Sequence, residues 1–112
     1  MEKLIRINLL YDFYGQMLTE RQKKFVELYY CHDLSLGEIS EQYGVSRQSV
    51  YDTLKRSEQS LCLFEDKLGL LAKSLEAKDC LRRALSLLKS GSDSDIQKAR
   101  EILSELIQAQ ES

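Results

Sequence analysis

The sequence predicts an all-α protein: a trihelical helix-turn-helix core, then a long helix continuing into a C-terminal helical hairpin. Three observations point there. The chain contains no proline and is rich in Leu, Glu, Lys, Gln, Arg and Ala, so helix formers dominate and helix breakers are scarce. Ser35 to Arg56, SLGEISEQYGVSRQSVYDTLKR, fits two short helices set at an angle around Gly44. Beyond it, Val50, Leu54, Ser57, Leu61, Phe64, Leu68, Leu71 and Leu75 recur at alternating spacings of four and three residues, the spacing of a heptad seam. With 112 residues the chain can form one domain with a core, or a small domain with a helical extension, and two large independent domains are excluded. The pattern divides it into a helix-turn-helix domain over residues 1–60, with the motif at 35–56, and a helical extension for bundling or dimerisation over 61–112.

The elements follow in order. From Glu2 to Tyr14, Leu4, Ile7, Tyr11 and Tyr14 form a stripe that Ile5, Leu9, Leu10 and Phe13 widen, so this helix calls for burial on more than one side. Gly15 ends it. Thr19 with Gln22 reads as a capping box, followed by an inward face of Phe25, Val26, Leu28, Tyr29 and Tyr30 that runs to about Cys31. After a turn at Asp33, Ser35 and Glu38 form a second capping box, and Leu36, Ile39 and Tyr43 share one face of the supporting helix. Gly44 can take the left-handed conformation, Val45 can plug the interhelical angle, and Ser46 can cap a helix starting at Arg47.

The heptad seam implies that this helix runs well past the domain and needs a partner, with Gly69 marking a bend or break in the low seventies. After Leu75 the stripe shifts to Cys80 or Leu81, Ala84, Leu85 and Leu88, as in a new helix or a rotated continuation. Ser90-Gly91-Ser92-Asp93 is a loop. Asp93 or Ser94 then caps a last helix carrying Ile96, Ala99, Leu103 and Leu106.

Charge restricts the function. The net charge is -2, and eight Lys and Arg face nine Asp and Glu in residues 1–60, with the same counts in 61–112. A generic basic grip on phosphate is therefore excluded, because that affinity grows with the number of cations engaged. The second helix of the motif would present Arg47, Gln48, Ser49, Tyr51 and Asp52 to base edges and Lys55 and Arg56 to phosphates, with Arg21, Lys23 and Lys24 of the preceding helix as further phosphate partners. Asp52 would be repelled by phosphate unless it accepts from cytosine or pairs with Arg56. Cys31, Cys62 and Cys80 form no C-x-x-C pair, which fits reduced thiols in the cytoplasm, and His32 beside Cys31 lacks a second ligand pair for zinc. No apolar run approaches a signal core or a membrane span. No cofactor is called for, and no phosphate-cradling glycine loop or nucleophile–base pair suggests an enzyme.

The run Leu18-Thr19-Glu20-Arg21-Gln22, then Leu28-Tyr29, Ser35-Leu36-x-Glu38-Ile39-Ser40, Gly44-Val45-Ser46-Arg47 and Val50 resembles region 4 of bacterial sigma factors, where the second helix of the motif reads a promoter element. A complete sigma factor needs further regions for which this chain has no room. The whole chain is similar to the small YlxM family of sigma-region-4-like proteins. That resemblance implies an all-helical cytoplasmic protein, dimeric through helical contacts, whose gene lies beside those of the signal recognition particle. Its implied partners are the particle RNA or its GTPase protein, with the helix-turn-helix serving DNA or RNA. Two readings follow: a nucleic-acid-binding regulator in that pathway, or a protein-interaction adaptor that binds through its leucine seam while the motif is purely structural.

Overall fold

Two capping boxes set the middle of the chain. Thr19 accepts from the Gln22 N–H at 3.2 Å while the Gln22 side chain accepts from the Thr19 N–H at 3.0 Å, and Ser35 and Glu38 repeat the exchange at 3.0 Å each way. These reciprocal bonds satisfy backbone donors that a helix start leaves unpaired. In the computed structural model, which describes residues 1–111, the elements are α1 (Lys3–Tyr14), a 3-10 turn (Gly15–Met17), α2 (Glu20–Val26) running into a π-helical turn (Glu27–Cys31), α3 (Leu36–Tyr43), α4 (Arg47–Leu68), α5 (Leu70–Ser90) and α6 (Asp93–Glu111). The all-α expectation holds.

The chain forms two compact units that divide after Leu71, beyond the boundary expected at residue 60. In the first, α4 packs against α1, α2 and α3. Its core joins Ile7, Leu10 and Tyr14 of α1 with Phe25, Val26, Ile39, Val50, Leu54, Leu61 and Leu71. The Phe25 and Tyr43 rings meet edge to face at 5.0 Å, a geometry favoured by the ring quadrupoles.

Three sequence expectations change here. The seam of α4 is occupied by its own chain: Val50, Leu54, Ser57 and Leu61 are buried inside the first unit, and the buried Ser57 hydroxyl donates to the Thr53 carbonyl at 2.7 Å. The break expected in the low seventies is present and falls slightly earlier. Gly69 is left-handed at φ 65° and caps α4, so α5 begins at Leu70 and not after Leu75. On α1, only Ile7, Leu10 and Tyr14 are buried, and Leu4, Ile5 and Phe13 stay exposed, so the wide stripe is covered on one side.

The corner at Gly69 is tied from within. The Tyr14 hydroxyl donates to Glu65 Oε1 at 2.6 Å and accepts from the Leu70 N–H at 3.0 Å, and the Leu71 N–H donates to the same carboxylate oxygen at 3.0 Å. Burial, with help from Glu65, pushes the Tyr14 hydroxyl above its usual value, so it remains a donor. Glu65 thus sits at the first turn of α5, where free N–H groups favour an anion.

Among the described residues of the second unit only Ala84 and Ala99 are fully buried apolar residues, while Leu75, Leu81, Leu85, Leu88 and Ile107 are exposed. Ser92, not Asp93 or Ser94, caps α6: its hydroxyl accepts from the Asp95 N–H at 3.1 Å. Among the described residues no helix is long and apolar enough to cross a membrane.

Tyr14→Phe removes one donor and one acceptor from this junction and strands the Leu70 N–H. The melting midpoint should fall by about 4–8 °C as followed by far-UV circular dichroism, whereas an unchanged midpoint would mean that the junction contributes nothing to stability.

Candidate nucleic-acid interface

The angle between α3 and α4 is made by three consecutive residues. Gly44 at φ 64° has no Cβ to clash, and the Val45 N–H closes the turn onto the Ser40 carbonyl at 3.1 Å. Half-buried Val45 packs on the core, and the Ser46 hydroxyl accepts from the Ser49 N–H at 3.0 Å. The helix that starts at Arg47 therefore has a fixed origin and direction. Val50 and Leu54 face inward, while Arg47, Gln48, Ser49, Tyr51, Lys55 and Arg56 are exposed and Asp52 is half-buried.

The exposed face has structure of its own. Gln48 Nε2 donates to Asp52 Oδ1 at 2.9 Å, so the carboxylate is held by Gln48, and no Asp52–Arg56 ion pair forms among the described residues. Arg47 lies back over α3: a Cβ at Gly37 would stand 3.0 Å from its Nη2 and 3.1 Å from its Cζ and Nε. The glycine leaves room for the guanidinium to cross the start of the supporting helix. Sequence reading missed Gly37, although a glycine in the first turn of a helix is a visible anomaly.

The flanking cations divide. The Arg21 guanidinium stands 5.6 Å from the Phe25 ring centroid and 5.7 Å from that of Tyr43, a cation–π position on the core rim. Lys23 pairs with Glu20 at 3.3 Å, whereas exposed Lys24 takes part in none of the ion pairs among the described residues. The structure adds cations from α1 that the sequence reading had not assigned to the site. Lys3 bonds Glu58 of α4 at 2.7 Å, and its own proton is held more tightly because Glu58 accepts its hydrogen bond. Arg6 follows one turn later. Lys3 and Arg6 at an i, i+3 spacing were the available signal.

Elsewhere, the Glu38 carboxyl is held below its usual range by the backbone N–H and side chain of Ser35. Tyr11 donates to Glu27 Oε1 at 2.6 Å, and burial raises its hydroxyl well above the ordinary value. Cys31, Cys62 and Cys80 are free thiols.

A capped tight corner between two amphipathic helices, braced by a third upstream, defines a helix-turn-helix protein. The profile of the UPF0122 family, described as "Putative helix-turn-helix protein, YlxM / p13 like", matches residues 1–108, and the chain belongs to that family. A UPF0122 protein of Desulforamulus reducens is 48% identical over 112 residues, covering 96% of each chain. The UPF0122 protein YlxM of Bacillus subtilis is 48% identical over 111 residues, covering 99% of this chain and 96% of its own. A UPF0122 protein of Listeria innocua is 56% identical over 72 residues, covering 64% of this chain and 66% of its own.

Gly37→Ala separates backbone preference from the Arg47 contact. Alanine favours a helix by about 0.5–1 kcal/mol over glycine, and the mobile guanidinium can move aside, so the variant should melt no lower than wild type. The Arg47 Nε–Hε resonance should shift in an NMR spectrum, and a resonance that stays in place would rule out the packing of Arg47 on Gly37.

Proposed function

We propose that this protein is a nucleic-acid-binding regulator that reads its target with the first turns of α4. The observation that supports this most directly is the exposed face Arg47, Gln48, Ser49 and Tyr51, carried on a helix whose start is fixed by Gly44 and Ser46. Arg suits guanine edges and Gln suits adenine edges. The Gln48–Asp52 bond presents the amide in a set orientation and lessens the repulsion that a free carboxylate would exert on phosphate. Arg56 and Lys55 then serve the flanking phosphates, with Lys24 and Arg21 from α2 at the edge of the footprint. The likeness to YlxM makes the signal recognition particle RNA the first ligand to set beside duplex DNA, and it favours a cytoplasmic, non-enzymatic role in that pathway.

Fluorescence anisotropy with duplex DNA and the particle RNA at two salt concentrations tests the reading. Wild type should bind at least one of them with an affinity that falls as salt rises, and Arg47→Ala with Lys55→Ala should bind about tenfold more weakly or worse. Equal, negligible and salt-insensitive binding by both proteins would remove it.

The second unit supports self-association. A helical pair in which, among the described residues, only Ala84 and Ala99 are fully buried apolar residues has too little core to satisfy the leucines it exposes. From residue 72 onward there are seven Lys and Arg and seven Asp and Glu, so two copies meet without net repulsion. We read the partner as a second copy of the chain. The adaptor reading loses Leu61, which is fully buried in the first unit, and retains only these C-terminal leucines. Sedimentation equilibrium should find a dimer for wild type and a monomer for Leu81→Glu with Leu85→Glu, and a monomeric wild type would overturn the dimer.

A further inference from the structure

Along one side of the first unit, α1 and α4 leave an open groove of about 520 Å³, to which α1 contributes Lys3 and Arg6 and α4 contributes Lys55, Glu58 and Gln59. Its charge is one-sided. The single carboxylate, Glu58, is neutralised by Lys3 at 2.7 Å, while Arg6 and Lys55 take part in none of the ion pairs among the described residues. A half-buried arginine and an exposed lysine thus face one channel with their charges uncompensated, in a protein whose net charge is negative.

The height of the groove on α4 matters. At a rise of about 1.5 Å per residue, the turns from Arg47 to Asp52 extend roughly 8 Å along α4. Lys55 lies about 12 Å behind Arg47. Lys55 therefore stands behind the turns that would meet base edges, and Arg6 of α1 lines the same groove beside it. Neutral Gln59 adds an amide donor.

We propose that the α1–α4 groove seats a backbone phosphate of the bound nucleic acid between Arg6 and Lys55, so that α1, outside the helix-turn-helix, forms part of the contact surface. The proposal rests on the nucleic-acid reading of α4 and adds to it a residue, Arg6, and a second helix. The guanidinium supplies a planar fork of donors, and the ammonium a point charge. Lys3 acts indirectly: by holding Glu58 it keeps a carboxylate from facing the phosphate.

The test uses the full chain and a nucleic acid that wild type binds, with anisotropy followed across a series of salt concentrations on two unrelated sequences. Arg6→Gln should weaken binding by the same factor on both sequences and reduce the slope of log affinity against log salt by about 0.9. Arg6→Lys should restore most of the slope, which a purely structural role for the guanidinium would not. Lys67→Gln, at the far end of α4, removes the same charge away from the groove and should leave the slope unchanged. Wild-type affinity and slope for Arg6→Gln, or an equal loss for Lys67→Gln, would overturn the groove while leaving the reading of α4 intact. Absence of binding by wild type would overturn both, and Arg6→Lys supplies the comparison if Arg6→Gln proves poorly folded.

Discussion

A carboxylate buried beside apolar helices is the constraint on which the first unit depends. Glu65 is 9% exposed and Tyr14 is 1% exposed, and a polar group at such a site is tolerated only when it is hydrogen-bonded. The donors come from different parts of the chain: the Tyr14 hydroxyl from α1 and the Leu71 N–H from the start of α5. Removing the carboxylate takes the acceptor from both donors, and removing the Tyr14 hydroxyl strands the Leu70 N–H. The group therefore fixes the end of α1, the last turns of α4 and the left-handed corner at Gly69 together, which apolar packing, being non-directional, cannot do alone.

At its other end α4 is fixed by a different device. Gly44 sets the angle and Ser46 sets the starting residue, while Ile39, Val50 and Phe25 fill the space behind them. Between the two ends lie 22 residues of helix, roughly 33 Å, packed along the stripe from Val50 to Glu65 against α1, α2 and α3. Side chains on such an element are positioned more closely than side chains on a loop. Under the proposed function, the orientation of Gln48 by Asp52 stands in for a broad basic field.

Most of this was legible in the sequence where the signals are local. Thr19 with Gln22, Ser35 with Glu38, and Gly44 with Ser46 each specify a helix terminus within a few residues, and the structure has them where the spacing predicts. What escaped is non-local. The seam from Val50 to Leu61 shows that a partner is needed but not that α1 and α2 supply it, since heptad spacing is the same for intramolecular and intermolecular packing. The junction of Tyr14 with Glu65 spans 51 residues, and no pattern links a tyrosine on an apolar stripe to a glutamate among solvated charges. Lys3 and Arg6 went unassigned for a similar reason: nothing in their local sequence shows that α1 lies beside Lys55.

The π-helical turn at Glu27–Cys31, closed by the His32 N–H on the Glu27 carbonyl at 3.0 Å, carries one residue more than an α-helix of the same height. One residue is about 100° of rotation, so the surplus turns the residues on its two sides relative to one another around the helix axis. The segment between the two capping boxes is thus keyed by its count as much as by its composition. A trihelical domain that lacks this widened turn will superpose on this one only with a single-residue gap there, and an alignment that closes the gap will put every residue upstream out of phase.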